Sequence, residues 1–188
     1  MVMVMVMADG DGDGDGHLVL QGLTVELTGD EAIHRRRNSI DNVVRDSIVR
    51  DAGHRREKLG EGSYVGTAES NCCTITDCKP DNRYRNVIMG ITISDTTAES
   101  IDLKAGTTGG VVADNTFDGS SLSGAGSGVD VKGKGWLIIG NVGQLSSQLG
   151  LAGRRFPDPR DPRRLGCRRC VRRQQLLRPR SGRPAGRR

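Results

Sequence analysis

Four stretches of the chain repeat one order of apolar and polar positions: "NVVRDSIV" (42–49), "NVIMGITI" (86–93), "GVVADNTF" (110–117) and "WLIIGNVG" (136–143). Each holds two short aliphatic groups separated by an Asp or Gly. Successive starts lie 44, 24 and 26 residues apart, the first interval enlarged by a loop. A second segment type alternates with them: "AIHRRR" (32–37), "SYVGTA" (63–68), "SIDLKA" (100–105) and "GVDVKG" (128–133). Two-residue alternation between turn formers predicts short strands. A period in the twenties predicts coils that stack, because each coil alone leaves its apolar face and backbone edges uncovered. The predicted fold class is all-β: a short right-handed parallel β-helix of about four coils over residues 17–143.

Period-two alternation sends Ile101 and Leu103, like Val129 and Val131, inward. Asp102, Lys104, Asp130 and Lys132 then point outward. Aligning the second segments puts His34, Val65, Asp102 and Asp130 in one outward column and Arg36, Thr67, Lys104 and Lys132 in the next. Asn115 and Asn141 fall at corners, where a carboxamide can hydrogen-bond along the stack.

Composition separates the two ends from this middle. Residues 151–188 hold 14 Arg and no Lys against two acids, whereas residues 1–150 hold 14 basic and 21 acidic residues, so the basic pI of 9.2 belongs to the tail. Residues 144–188 therefore read as a disordered Arg/Pro-rich tail. Arg-rich segments bind phosphate backbones, but this one has Phe156 as its sole aromatic, so no specific nucleic-acid partner is expected. Its Arg and Pro are what GC-rich DNA yields when read out of frame, which makes residues after about 144 candidates for frameshifted sequence. Residues 1–16, "MVMVMVMADGDGDGDG", form a low-complexity tail that one slipped hexanucleotide repeat can encode. Asp9, Asp11, Asp13 and Gly14 mimic the first half of a calcium loop, but the twelfth position, which needs Glu, is Leu20. Five aromatic residues in 188 exclude an aromatic-filled core. No apolar run reaches transmembrane length, and no signal-peptide core is visible.

Cysteine usage adds little. Cys72, Cys73 and Cys78 share the 68–85 loop, where one pair can close a short disulfide and leave a third thiol. Zinc needs a fourth ligand that this loop lacks. "CRRC" (Cys167, Cys170) lies in the tail.

The stretches "GDEAIHRRRNSIDNVVRDSIVRDAG", "GEGSYVGTAESN", "ISDTTAESIDLKAGTTGGVVADNTFDG" and "VDVKGKGWLIIGN" together resemble the right-handed β-helix, pectate-lyase-like superfamily, in particular its secreted bacterial carbohydrate-active members. The resemblance covers roughly residues 17–143. It implies an acidic polysaccharide as partner, an extracellular location and a monomer. "AESIDLK" further looks like the Glu-x-x-x-x-Lys strand of the chondroitinase and alginate lyase branch. That likeness implies a calcium-assisted β-elimination of a uronate-containing glycan. Glu99 and Asp102 would hold Ca2+, Lys104 would be the base, and His34, Asp102 and Asp130 would contact substrate. The further carboxylate expected two residues before Glu99 is Thr97, and no Arg lies in residues 109–143. Arg36 and Lys132, with Arg55 and Arg56, are the remaining cationic candidates for catalysis. The residues alone also fit a plainer account, in which Asp and Lys on a sheet face form a solvated charge ladder and the chain is a non-catalytic β-helix fragment.

Overall fold

The computed structural model describes residues 4–7, 17–36, 39–79, 81, 83–125 and 127–145. The expectations for residues 8–16 and 146–188, including the calcium-loop mimic and Cys167 with Cys170, lie outside the described residues.

Among the described residues, seventeen short strands wind into about five coils. The first coil holds β1 (Val4–Met7), β2 (Val19–Gln21) and β3 (Thr24–Val25), and the second holds β4 (Ile33–Arg36), β5 (Val43–Arg45) and β6 (Ile48–Val49). The third holds β7 (Ser63–Val65), β8 (Arg83–Tyr84), β9 (Val87–Met89) and β10 (Thr92–Ile93). The fourth runs through β11 (Ile101–Leu103), β12 (Thr107–Thr108), β13 (Val111–Ala113) and β14 (Thr116–Gly119), and the fifth through β15 (Val129–Val131), β16 (Leu137–Ile139) and β17 (Val142–Leu145). Equivalent strands stack in parallel into three five-stranded sheets, with β8 and β12 forming a small fourth. The result is a β-solenoid with one more turn than the repeats predict. The extra turn recruits Val4–Met7, assigned above to the tail, which pairs with β4. No helix among the described residues is long and apolar enough to cross a membrane.

The corner between the last two strands of each coil explains the Asp and Gly punctuation. Gly22, Asp46, Gly90, Asp114 and Gly140 occupy it with φ of 67°, 49°, 63°, 53° and 67°. Left-handed backbone is free for Gly and tolerated by Asp. A Cβ at Gly140 would also stand 2.0 Å from Asp114 Oδ1.

Inside, aliphatic residues stack on their equivalents. Val44, Ile88 and Val112 form one fully buried column, and Val25, Val49, Ile93 and Phe117 form another. The corner asparagines do as expected: Asn115 Nδ2 donates to the Ile88 carbonyl (3.1 Å) while its Oδ1 accepts from the Ile91 amide (2.9 Å). Asn141 repeats this on the next coil, accepting from the Asn115 amide (3.0 Å) and donating to the Val112 carbonyl (2.9 Å). On the fifth coil Leu137, Ile138, Ile139 and Val142 are exposed.

Two sequence-derived placements need correction. In the first sheet, His34 pairs with Tyr64, Tyr64 with Asp102 and Asp102 with Asp130. Val65 instead sits against Leu103 in the core, fully buried. A one-residue slip turns every side chain over. The same slip removes Thr67 from the cationic column, and its hydroxyl bonds Asp81. Between the outward His34 and Arg36, Arg35 alternates inward and donates to Ser63 Oγ in the interior. In the 68–85 loop, Cys73 is disulfide-bonded to Cys78.

Candidate functional site

The outward side of the first sheet carries three columns running along the solenoid. The corrected register aligns "EAIH", "EGSY", "ESID" and "SGVD". Glu31, Glu61, Glu99 and Ser127 thus occupy the position two before each strand. His34, Tyr64, Asp102 and Asp130 form the middle column. Arg36, Gly66, Lys104 and Lys132 follow two residues later. Across the strands the face changes from acid, through a mixed column, to base.

The acid and middle columns converge at one point. Carboxylate oxygens of Glu61, Glu99 and Asp102 all lie within 4.8 Å of one another. Glu61 is 3% exposed and Asp102 1% exposed. Glu61 Oε2 and Asp102 Oδ1 are buried without a hydrogen bond. Burial, reinforced by the Asp102 and Glu31 carboxylates, pushes the Glu61 carboxyl up to about 8. Burial raises Glu99 and Asp102 as well, against the pull of Lys104 on both. Three crowded carboxyl oxygens with two unmatched lone-pair sites make a hard-oxygen cluster that could hold a metal ion.

The base column closes the other side. Lys104 Nζ donates to Asp102 Oδ2 and stands 4.7 Å from the centre of the Tyr64 ring. Lys132 Nζ donates to Asp130 Oδ2 and lies 3.6 Å from Asp102 Oδ1. Burial opposes the charge on Lys132, but Asp102 and Asp130 hold its pKa above the usual value. On the other side of Tyr64, the His34 ring packs at 4.4 Å, its Nε2 3.1 Å from the Gly66 carbonyl and its Nδ1 3.7 Å from Glu31 Oε1. Burial, with Asp102, Glu61 and Glu31 nearby, raises Tyr64 well above the ordinary phenol range. Tyr64 therefore keeps its proton at any physiological pH.

Of the residues singled out from sequence, Glu99, Asp102, Lys104, Asp130 and Lys132 come together, and His34 joins them through Tyr64. Arg36 does not. It lies in the same column but two rungs from Lys104, roughly 10 Å at the usual spacing, with Gly66 between. Arg55 and Arg56 are also spent elsewhere, both donating to the buried Asp30. Sequence reasoning missed Glu31 and Tyr64, and it weighed Glu61 only with Glu57 and Lys58, as a residue of the 54–62 loop that could line a groove. Their signal was the Glu two residues before three of the four strands, hidden by the one-residue slip in the "SYVGTA" segment.

No protein-family model matches this chain, and no curated protein does. Among solved structures, an alginate lyase from Paenibacillus sp. strain FPU-7 superposes with a TM-score of 0.64 at 36% sequence identity. The match covers 68% of this chain and 43% of that one. The chain shares its fold with a polysaccharide lyase. It spans less than half of that enzyme's length.

Proposed function

We propose that the three-column face binds an acidic, uronate-containing polysaccharide and cleaves it by β-elimination with help from calcium. What carries this reading is the lateral contact between the Glu61–Glu99–Asp102 cluster and Lys104 over Tyr64. The likeness to an alginate lyase supports it, since alginate is a polymer of uronates.

Charge bookkeeping along the face favours a bound cation. Four carboxylates (Glu31, Glu99, Asp102, Asp130) and the Glu61 carboxyl, which gives up its proton when a cation binds, face three cationic groups (Arg36, Lys104, Lys132). A polyanion approaches such a face only when the excess is neutralised. The buried cluster supplies hard oxygen donors suited to Ca2+, held by Glu61, Glu99 and Asp102. Bound there, calcium would supply the positive charge that offsets the uronate carboxylate and so would acidify the neighbouring C–H. Lys104, as the neutral amine, takes that proton. The C–H electron pair becomes the new C=C bond and the glycosidic oxygen departs. We assign the return of a proton to that oxygen to Tyr64, whose ring lies 4.7 Å from Lys104 Nζ. His34 buttresses the Tyr64 ring. A disulfide between Cys73 and Cys78 suits an oxidising compartment and supports an extracellular location.

A second reading, glycan binding without turnover, draws on the Lys104–Asp102 ion pair, because a paired ammonium is a poor base. One assay separates the two. The protein is incubated with alginate, polygalacturonate and chondroitin, with calcium or with a chelator, and the ultraviolet absorbance of the unsaturated product is followed. Elimination predicts a rise on at least one polymer that the chelator suppresses. Flat traces on all three from a folded sample overturn it.

A further inference from the structure

A pocket of about 340 Å³ opens beside the base column, within the roughly 300–1,000 Å³ typical of small-ligand sites. Its walls come from the loops that follow three successive strands of the first sheet: residues 67–70 after β7, Lys104 and Ala105 after β11, and Lys132 after β15. The first wall is held in place at both ends. Thr67 bonds the buried Asp81 across the neck of its loop, and Cys73–Cys78 staples the far side. The lining is chemically mixed: Ala68 and Ala105, Thr67 and Ser70, Glu69, and the two lysines.

The two lysines are not equivalent. The Lys104 side chain is 14% exposed, while that of Lys132 is 33% exposed. Lys132 leans on Asp130 and more distantly on Asp102. An ammonium has three donors, so Lys132 can meet a further anion without abandoning Asp130. Small apolar walls suit the flat face of a pyranose ring, and the ammonium suits an acidic substituent on it.

We propose that this pocket is the subsite for one uronate unit adjoining the unit that reacts, with its ring against Ala68 and Ala105 and its carboxylate on Lys132. Lys132 is then the residue that selects a charged over a neutral sugar, not a base. The placement beside the reacting unit rests on the elimination reading, but occupancy of the pocket does not require turnover.

Calorimetric titration of the full chain with an alginate trisaccharide, and with the same trisaccharide after reduction of its carboxyls to alcohols, tests this. A charge-assisted contact predicts that the wild type binds the acidic probe about tenfold more tightly or better. Lys132→Gln should erase that preference by weakening only the acidic probe. Ser70→Trp fills the cavity from an exposed position and should weaken both probes about tenfold; circular dichroism and the melting temperature verify that both variants fold. Equal wild-type affinity for the two probes overturns the proposal, as does unchanged binding in both variants. Preserved preference with no polymer cleaved defeats the elimination reading and leaves the subsite standing. Cleavage whose KM ignores both substitutions defeats the subsite and leaves elimination standing.

Discussion

The fourth and fifth coils carry the same pattern of apolar, acid, apolar, base and put it to different uses. Ile101-Asp102-Leu103 and Val129-Asp130-Val131 lie side by side in parallel register. Ile101 and Leu103 are fully buried, whereas Val129 and Val131 remain half-buried. Each Asp holds the Lys two residues on. Yet Asp102 is 1% exposed and faces Glu61 and Glu99, while the Asp130 side chain is 24% exposed and has Ser127 where Glu99 would be. A charged pair on a sheet edge is a solvated ladder. The same pair with a rung on each side and two more carboxylates becomes a desolvated cluster with unmatched oxygens. Neighbours, not the four-residue pattern, make the site.

The largest expected difference is in turnover. Lys104→Ala should lower kcat on the cleaved polymer by about 10²–10⁴-fold, the usual weight of a general base, whereas Asp130→Asn should change it only a few-fold; initial rates of unsaturated product measure both. Equal losses would dissolve the distinction between the coils. Next comes packing. Leu103→Ala removes a fully buried side chain and should cost about 2–5 kcal/mol, against under about 1 kcal/mol for Val131→Ala at the half-covered coil, read from denaturant midpoints.

The third difference is in pH response, of order a few kcal/mol over the range given by linkage. Glu61 binds its proton up to about pH 8 in the folded chain but only to about 4.5 as a free carboxyl. Between those values the folded state holds more protons than the unfolded one, so stability of the calcium-free protein falls as pH rises from 4.5 to 8. Glu61→Gln should flatten much of that slope in denaturation curves taken across the window. Ser127→Glu, which installs the missing carboxylate on the half-exposed coil, should leave the slope nearly unchanged.

The architecture was legible because stacking imposes a period on the chain, and Asp46, Gly90, Asp114 and Gly140 mark its corners whatever the coil does chemically. Glu99, Asp102 and Lys104 stood out because they lie within six consecutive residues. Glu61 and Tyr64 did not, because their membership depends on register between strands 38 residues apart. Tyr64 and Val65 are both plausible core residues, so hydrophobicity alone leaves the register open by one. The Glu two residues upstream resolves it, since a Glu stacked on Glu31 and Glu99 must lie outside the core. The pocket wall made by residues 67–70 was beyond reach, because the loop they open has no counterpart in the other coils to align with.

Among the described corners, five backbone amides are satisfied from the coil that follows. The amides of Leu18, Leu23, Asn42, Ile91 and Asn115 each donate to a side chain on the following coil, from Asn42, Ser47, Asn86, Asn115 and Asn141 respectively. A chain leaving the ribosome from its N-terminus therefore completes each corner only when the next one emerges. The nascent solenoid locks one coil behind its growing end, like a zip whose every tooth is closed by the tooth that follows.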